Sequence, residues 1–451
     1  MAGGRWTTQN KVRPGAYINV NSNSMMTAIN SIRGVVTMPW VGGFGPSREV
    51  IEVTSNTDFL TVLGYDFGAP ELLIIREVLK RASTLLLYRV NDGLRATING
   101  TDGLRVVAKH GGDRGNDLIV RIRREVDTQP LFTVETFLGA EVVESEGGEK
   151  VISGRLVDVQ QVTKIEELED NAFVMFIGEG ALTGDEILRL TGGEHSLATS
   201  ADYNSYFQAI EAYHFNTMAL PEVESTTKAQ GVNIIERLRE EEGKKCQLVV
   251  ADFAANSEAV ISVANGVILN DGTEVEKELA VAWVAGATAG ANVNESNTYS
   301  SYAGAVDVEP RLTHSDTIDA LRAGQFVFTE RRGRVVVEQD INSLTEFTPE
   351  KNQTFSKNRA MRVLDDIANS VKQLFEDVFI GRVSNDADGR ALFRSGVIEY
   401  MNTLQGMNAI QNFGASDVRI APGIHGDSVV VHLDVQPTDA MEKLYMSVVV
   451  E

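Results

Sequence analysis

Histidines, one cysteine and a few glycine-rich loops are the groups with which this 451-residue chain could do chemistry. The six histidines are His110, His195, His214, His314, His425 and His432. None belongs to the His-Glu-x-x-His pattern that sets two imidazoles on one helix face, and none has metal-ligand spacing with Cys246. No serine occupies a Gly-x-Ser-x-Gly elbow, and no Gly-x-x-x-x-Gly-Lys-Ser/Thr phosphate loop is present. His195 is the best-placed base, because it follows Gly192-Gly193, a loop whose amides could hold an anion. A hydrolase using His195 is therefore the enzymatic reading, although Gly192-Gly193 is more simply a connection and a triad is recognised by geometry. Residues 384–389 have the acidic spacing of a calcium loop, but Ser384 and Ser395 stand at its first and twelfth positions, where the last ligand must be a bidentate glutamate. Capping of a helix that begins at 387 accounts better for Asp386. The expectation is no catalytic residue, no metal and no cofactor.

The balance of 41 basic and 63 acidic residues, a net charge of −22, excludes a sequence-independent nucleic-acid binder, which needs a basic surface to neutralise phosphates. With Cys246 alone, no intramolecular disulfide can form, and its place before Leu248-Val249-Val250 reads as a structural thiol at a strand entry. No apolar run approaches the ~20 residues that span a bilayer, and Met1–Trp6 lacks the apolar core of a signal peptide. Folding in a cytoplasm without membrane insertion is expected.

Elements must carry these groups, and the ends of the chain are the most informative. Leu444, Tyr445, Met446, Ser447, Val448, Val449 and Val450 read as a β-strand, which must pair or remain an adhesive edge. A hairpin with 429–435 is the local reading; the sharper one is pairing with a strand from another copy of the chain. Residues 1–30 are polar apart from Ala16, Tyr17, Ile18, Asn19 and Val20, and form an arm with a docking strand, Trp6 serving as an anchor. Between the ends, residues 31–94 read as a small α/β unit, with strands at 35–38, 49–53 and 85–90, a helix at 57–63 capped by Asn56, and another at 69–80. Residues 95–178 switch to period two, with strands at 105–108, 118–123, 132–137, 142–145 and 157–160, as in a β-sandwich. Gly115 and Asn116 suit positive φ in the turn before 118, a structural role preferred to calcium ligation by Asp113 and Asp117. Residues 179–345 alternate helix and strand, implying an open α/β sheet; 275–289 is a small-residue helix made for close packing. Residues 346–451 open with a long helix from about 358 to 379 and end in strands.

Several segments, in order, carry a family likeness. Val12-Arg13-Pro14-Gly15-Ala16-Tyr17-Ile18, Arg33-Gly34-Val35-Val36-Thr37-Met38-Pro39 with Gly45-Pro46, the turn 111–118, Ser296-Asn297-Thr298-Tyr299 and the Lys357-Asn358-Arg359 helix resemble contractile tail sheath proteins of phages, defective prophages and phage-tail-like bacteriocins. The resemblance implies a multi-domain α+β protein with a subtilisin-like central α/β domain and a C-terminal domain with exchanged terminal strands. It also implies a homo-oligomer of stacked rings around a tail tube protein, with baseplate and tail-terminator or collar partners, that contracts without nucleotide. Lys357, Arg359 and Arg362 crowd the first turns of their helix, where the dipole disfavours cations. The family likeness assigns them to tube attachment, although Asp365, Asp366, Glu376 and Asp377 share the helix.

Overall fold

In the computed structural model, which describes residues 2–4, 15–17, 33–125, 131–144 and 150–450, the strand Val35–Trp40 is buried along its whole length. Its sequence, Val-Val-Thr-Met-Pro-Trp, is nearly continuous in apolar character, as a strand covered on both faces must be. It lies inside a seven-stranded sheet whose order is Gln325–Phe326, Val260–Val263, Gln247–Ala251, Thr217–Ala219, Val35–Trp40, Thr84–Arg89 and Val50–Val53. Every neighbouring pair is parallel except the last, which is antiparallel. The one hydroxyl inside Val35–Trp40, that of Thr37, is satisfied by Leu86 O and the Tyr206 hydroxyl.

Strands that the periodicity assigns to separate units at 31–94 and 179–345 thus share one sheet. Hydrophobic pattern specifies that a strand is buried but not its partner, and Thr217–Ala219 meets Val35–Trp40 across some 180 intervening residues. The helix Lys277–Gly290 packs against this sheet and against the helix Leu73–Leu79. Its small residues have a purpose here: a Cβ at Gly286 would overlap the carbonyl of Val78, so the two backbones approach closely only because this position is glycine. Trp283 of the same helix stacks on Tyr302 at 4.3 Å, and the Tyr302 hydroxyl donates to the buried Glu77, 2.8 Å away.

Between the two sets of sheet strands lie two antiparallel sheets, as period two predicts. One contains Lys150–Val162, Phe132–Glu144, Leu118–Arg124 and Glu186–Arg189; the other contains Val174–Ile177, Arg105–Ala108 and Thr97–Asn99. The segments read as separate strands at 132–137 and 142–145 belong to one 13-residue strand, Phe132–Glu144, whose register shifts near Leu138 and Glu141 break the alternation. The turn before Leu118 is a short 3₁₀ segment, Asp113–Asp117, and its positive φ falls on Gly112 (134°) rather than on Gly115 or Asn116. Asn116 instead uses its side-chain amide, donating to Gly193 O and accepting from Gly193 N, both at 2.8 Å. The helix expected behind Asn56 is Phe59–Leu63, capped by Asp58, whose carboxylate accepts from Thr61 N.

The chain divides into two compact units: Ile32–Ala368 with Asp439–Glu451, and Met1–Ser31 with Asn369–Thr438. In the second, the helix Ala387–Gly406 starts at the Asp386 cap, as expected, and packs on the strand Val418–Pro422. Phe375, Phe379 and Phe393 cluster there with ring centroids 4.8–6.3 Å apart. The strand Val418–Pro422 pairs antiparallel with Val429–Leu433, forming a two-stranded hairpin. Gly15–Tyr17 pairs in parallel with Ala2–Gly4.

Substituting Gly286 by Val should lower the thermal unfolding midpoint, at a cost of about 1–3 kcal/mol, because the helix pair must separate to admit the side chain. Gly68 has no atom near its Cβ direction, so Gly68→Ala serves as the control that leaves the midpoint nearly unchanged.

Candidate functional site

The helix Asn358–Leu374, at whose start the family likeness places Lys357, Arg359 and Arg362 for tube attachment, turns part of its polar side inward. Arg362 is 3% exposed and Asp366 4%, and Asn358 and Ser370 are buried as well. Arg362 pairs with Asp340 at 3.5 Å, both side chains 1% exposed, and also donates to the carbonyl of Glu295. Asp365 receives both terminal nitrogens of the buried Arg239, at 2.8 and 2.9 Å, in the bidentate geometry that suits guanidinium and carboxylate. Asp366 faces Arg33 at 3.9 Å. The cations that crowd the first turns are thus offset by acids from elsewhere in the same unit. Tube attachment through Arg362 would require breaking a buried pair, and Lys357 is likewise engaged within the chain. Arg359 is partly buried, which depresses its pKa, with Asp439 acting in the opposite direction.

Asp340 is the hub of this arrangement. Its carboxylate accepts from Asn297 N at 2.9 Å and from Asn358 Nδ2 at 3.0 Å, besides Arg362. Its own amide donates to the Thr298 hydroxyl at 2.9 Å, and that hydroxyl donates to Glu442 Oε1 at 3.0 Å. Glu442 also accepts from Gln339 Nε2 at 2.7 Å and from Lys357 Nζ. Three segments of the chain therefore converge on one carboxylate near the C-terminal end. Burial pushes the Glu442 pKa up, and the bonds from Lys357, Gln339 and Thr298 outweigh it, so the group sits below the ordinary glutamate value of 4.5.

Beyond this clasp the terminal segment is bare. Leu444, Tyr445, Met446, Val448, Val449 and Val450 are 74–89% exposed, and Ser447 is exposed too. The segment is in no strand, so neither the expected terminal strand nor its hairpin with 429–435 forms within the chain. Val429–Leu433 pairs instead with Val418–Pro422 through a six-residue connection, shorter to close than the ten residues of 434–443. No other strand among the described residues joins either side of this hairpin. Of the N-terminal docking strand, Ala16 and Tyr17 lie in Gly15–Tyr17, while Ile18, Asn19 and Val20, like Trp6, fall outside the described residues.

The enzymatic candidates do not come together. His195 Nδ1 lies 3.4 Å from Asp113 Oδ2, both about half exposed, but the neighbouring Ser196 hydroxyl is spent on Asp92 O at 2.9 Å and on accepting from Asp92 N. Cys246 is a buried thiol that burial pushes up to about 12, far from the thiolate a nucleophile requires. Sequence reading missed Asp340, Thr298 and Glu442. Only Glu442 left a signal, an acid at the foot of an apolar terminal run.

Three family descriptions match this chain: Tail sheath protein Gp18 domain III N-terminal region over residues 33–90, Phage tail sheath protein central domain over 197–343, and Phage tail sheath C-terminal domain over 350–451. The phage-like element PBSX protein XkdK of Bacillus subtilis (strain 168) is 37% identical over 477 residues, 99% of each chain. Among solved structures, the sheath tail protein of Desulfitobacterium hafniense is 41% identical, with a TM-score of 0.84 over 96% of this chain and 99% of that one. The helical sheath of the anti-feeding prophage in its contracted state shares the fold, with a TM-score of 0.57 over 98% of this chain and 100% of that one at 12% identity.

Two outcomes follow from the geometry. Arg362→Met leaves Asp340 buried and unpaired and should cost about 3–5 kcal/mol in urea unfolding, with partial recovery in the double variant carrying Asp340→Asn. Because the Glu442 pKa is depressed on folding, its contribution is complete at neutral pH. It is lost as pH falls from about 4.5 through the lower folded value, which a carbon-detected titration of Glu442 would follow.

Proposed function

The chain belongs to the phage tail sheath family and is a structural sheath subunit of the contractile type, and from that premise we propose how it assembles. Copies polymerise into stacked rings around a tail tube, and the lattice contracts to drive the tube through a target cell envelope. The observation that carries this reading is the pairing of two incomplete parts in one molecule. Residues 444–450 are exposed and rich in β-branched and aromatic side chains, and no other strand among the described residues extends the hairpin Val418–Pro422/Val429–Leu433. An isolated two-stranded hairpin is marginal in water, and an unpaired strand of this composition is adhesive, so each supplies what the other lacks. Strand addition between copies joins subunits through backbone hydrogen bonds while their bodies stay free to reorient.

The same reading gives the N-terminal arm, with Ala16, Tyr17, Ile18, Asn19 and Val20, a matching role in exchange between copies. A tail tube protein inside the sheath, and baseplate and terminator or collar proteins at its ends, are the further partners, with assembly in the cytoplasm of the bacterial host. The sheath of the anti-feeding prophage is a helical assembly in a contracted state, which supports a polymer that changes lattice. The same reading assigns a subtilisin-like character to the central α/β sheet; hydrolysis by it is not favoured, since the Ser196 hydroxyl beside His195 is engaged by Asp92. Energy for contraction resides in the assembled lattice, and no nucleotide enters the scheme.

The full chain, concentrated, should form hollow tubes in negative-stain electron microscopy; deleting 444–451 should abolish them and leave the circular dichroism spectrum and unfolding midpoint of the body nearly unchanged. Tubes that persist in the deletion variant would refute the exchange. His195→Ala should change neither the fold nor the tubes.

A further inference from the structure

We propose that an apolar groove at the Val429 end of the hairpin seats the terminal segment of a second copy, which enters it by one face, that of Leu444, Met446, Val448 and Val450. The inference rests on the strand-exchange reading above and adds which side chains turn inward and what receives them.

The groove lies wholly within the unit that holds the hairpin, and its volume is about 530 Å³. Phe375, Phe379, Ile380, Val383, Phe393 and Val429 give it its apolar character. One side is the turn Phe375–Phe379, which is π-helical and closed by a bond from Ile380 N to Phe375 O at 3.0 Å. Single π turns within helices often mark functional positions. Phe379 and Phe393 are buried, whereas Ile380 is 54% exposed. The other side is the hairpin, tied to the start of the helix Ala387–Gly406 by Asn385, whose side-chain amide donates to Gly426 O and Ser428 O, both at 2.9 Å. The groove is thus formed before anything enters it, and an occupant meets little ordering cost there.

The hairpin shows which of its faces is unfinished. Val429, Val431 and Leu433 are half-buried while Val430 and His432 are exposed, so the odd-numbered positions make the inner face, to which the groove-lining Val429 belongs. Cover thins from Val418, 1% exposed, to its cross-strand partner Leu433, and beyond Val429–Leu433 no strand among the described residues follows. A strand added on that side continues the inner face and lays its inward side chains beside Val429 and over the groove. In a strand, Leu444, Met446, Val448 and Val450 share one side that is apolar throughout, whereas Tyr445 and Ser447 put two hydroxyls on the other. The first four are 74–89% exposed in the single chain. Residues 444–450 span about 23 Å as a strand against about 17 Å for Val429–Leu433, so a segment that covers the strand has roughly two residues to spare for the groove beyond Val429. A slip of one residue would turn Tyr445 and Ser447 inward instead.

The test measures, by light scattering, the concentration at which tubes form for single lysine substitutions in the full chain, beside the deletion of 444–451. Leu444→Lys, Met446→Lys, Val448→Lys and Val450→Lys should each raise it roughly tenfold or more, and Tyr445→Lys, Ser447→Lys and Val449→Lys should leave it within about twofold. All seven positions are exposed in the single chain, so the unfolding midpoint should stay unchanged throughout. Ile380→Glu, also at an exposed position, should raise the tube-forming concentration alone and lower it again when combined with either Leu444→Lys or Val450→Lys, whichever end lies at the groove. Rescue of Leu444→Lys means an added strand parallel to Val429–Leu433, and rescue of Val450→Lys an antiparallel one; either supports the groove. Equal losses on the two faces of the segment, or no rescue at either end, would overturn the proposal while the deletion still abolishes tubes. Tubes formed by the deletion variant would instead show that strand exchange itself is the wrong reading.

Discussion

A carboxylate taken out of water must be paired and fully hydrogen-bonded, and in this subunit that carboxylate is Asp340. Its requirement fixes its surroundings: Arg362 from the Asn358–Leu374 helix, Asn358 at the start of that helix and the Asn297 amide all converge on it. Around this point the start of that helix and the root of the C-terminal segment are held in one place. The polar character of the helix, which suggests a surface for a partner, is instead the chemistry of an interior junction. A buried pair of this kind is weak evidence for stability, because desolvation costs about as much as the attraction returns. Its value lies in geometry: the carboxylate gathers Arg362, Asn358 and the Asn297 amide on one point, and the backbone amide of the same residue donates to the Thr298 hydroxyl that reaches Glu442.

Much of the fold is legible in the sequence wherever burial and period coincide. The runs Val35–Trp40 and Gln247–Ala251 declare themselves as double-sided strands, the small residues of Lys277–Gly290 declare close packing, and Asp386 declares a helix start. Partnership is what period leaves open. Nothing in Thr217–Ala219 says that it lies beside Val35–Trp40, and nothing in 429–433 says that its partner precedes rather than follows it. The polar side of the Asn358–Leu374 helix failed for a related reason: Arg362 and Asp366 have the periodicity of a solvated face, and only the tertiary placement of Asp340 and Arg33 turns them inward. Backbone sign is equally hidden, since Gly112 and Gly115 are alike in sequence and only Gly112 takes positive φ.

The site itself was legible at its ends and not at its root. Leu444–Val450 is conspicuous because so much β-branched and aromatic surface has no reason to face water. That it belongs to a different unit from the hairpin could not be read, because this depends on Glu442 meeting Thr298, Gln339 and Lys357, residues far apart in the chain. On the proposed exchange, each subunit is both a donor and an acceptor of a strand. The single chain leaves the apolar side chains of 444–450 exposed, and the proposed exchange would cover them in the polymer.

The central claim, that the terminal segment completes the hairpin of a different copy, is tested most directly by cysteines at Val431 and Val448 in tubes grown from equal parts of isotopically heavy and light protein. Cys246 does not compete, because its thiol is buried. The account predicts disulfide-linked peptides that join heavy to light chains. Links confined to chains of one isotope, or no link between these two positions in tubes that form normally, would contradict it.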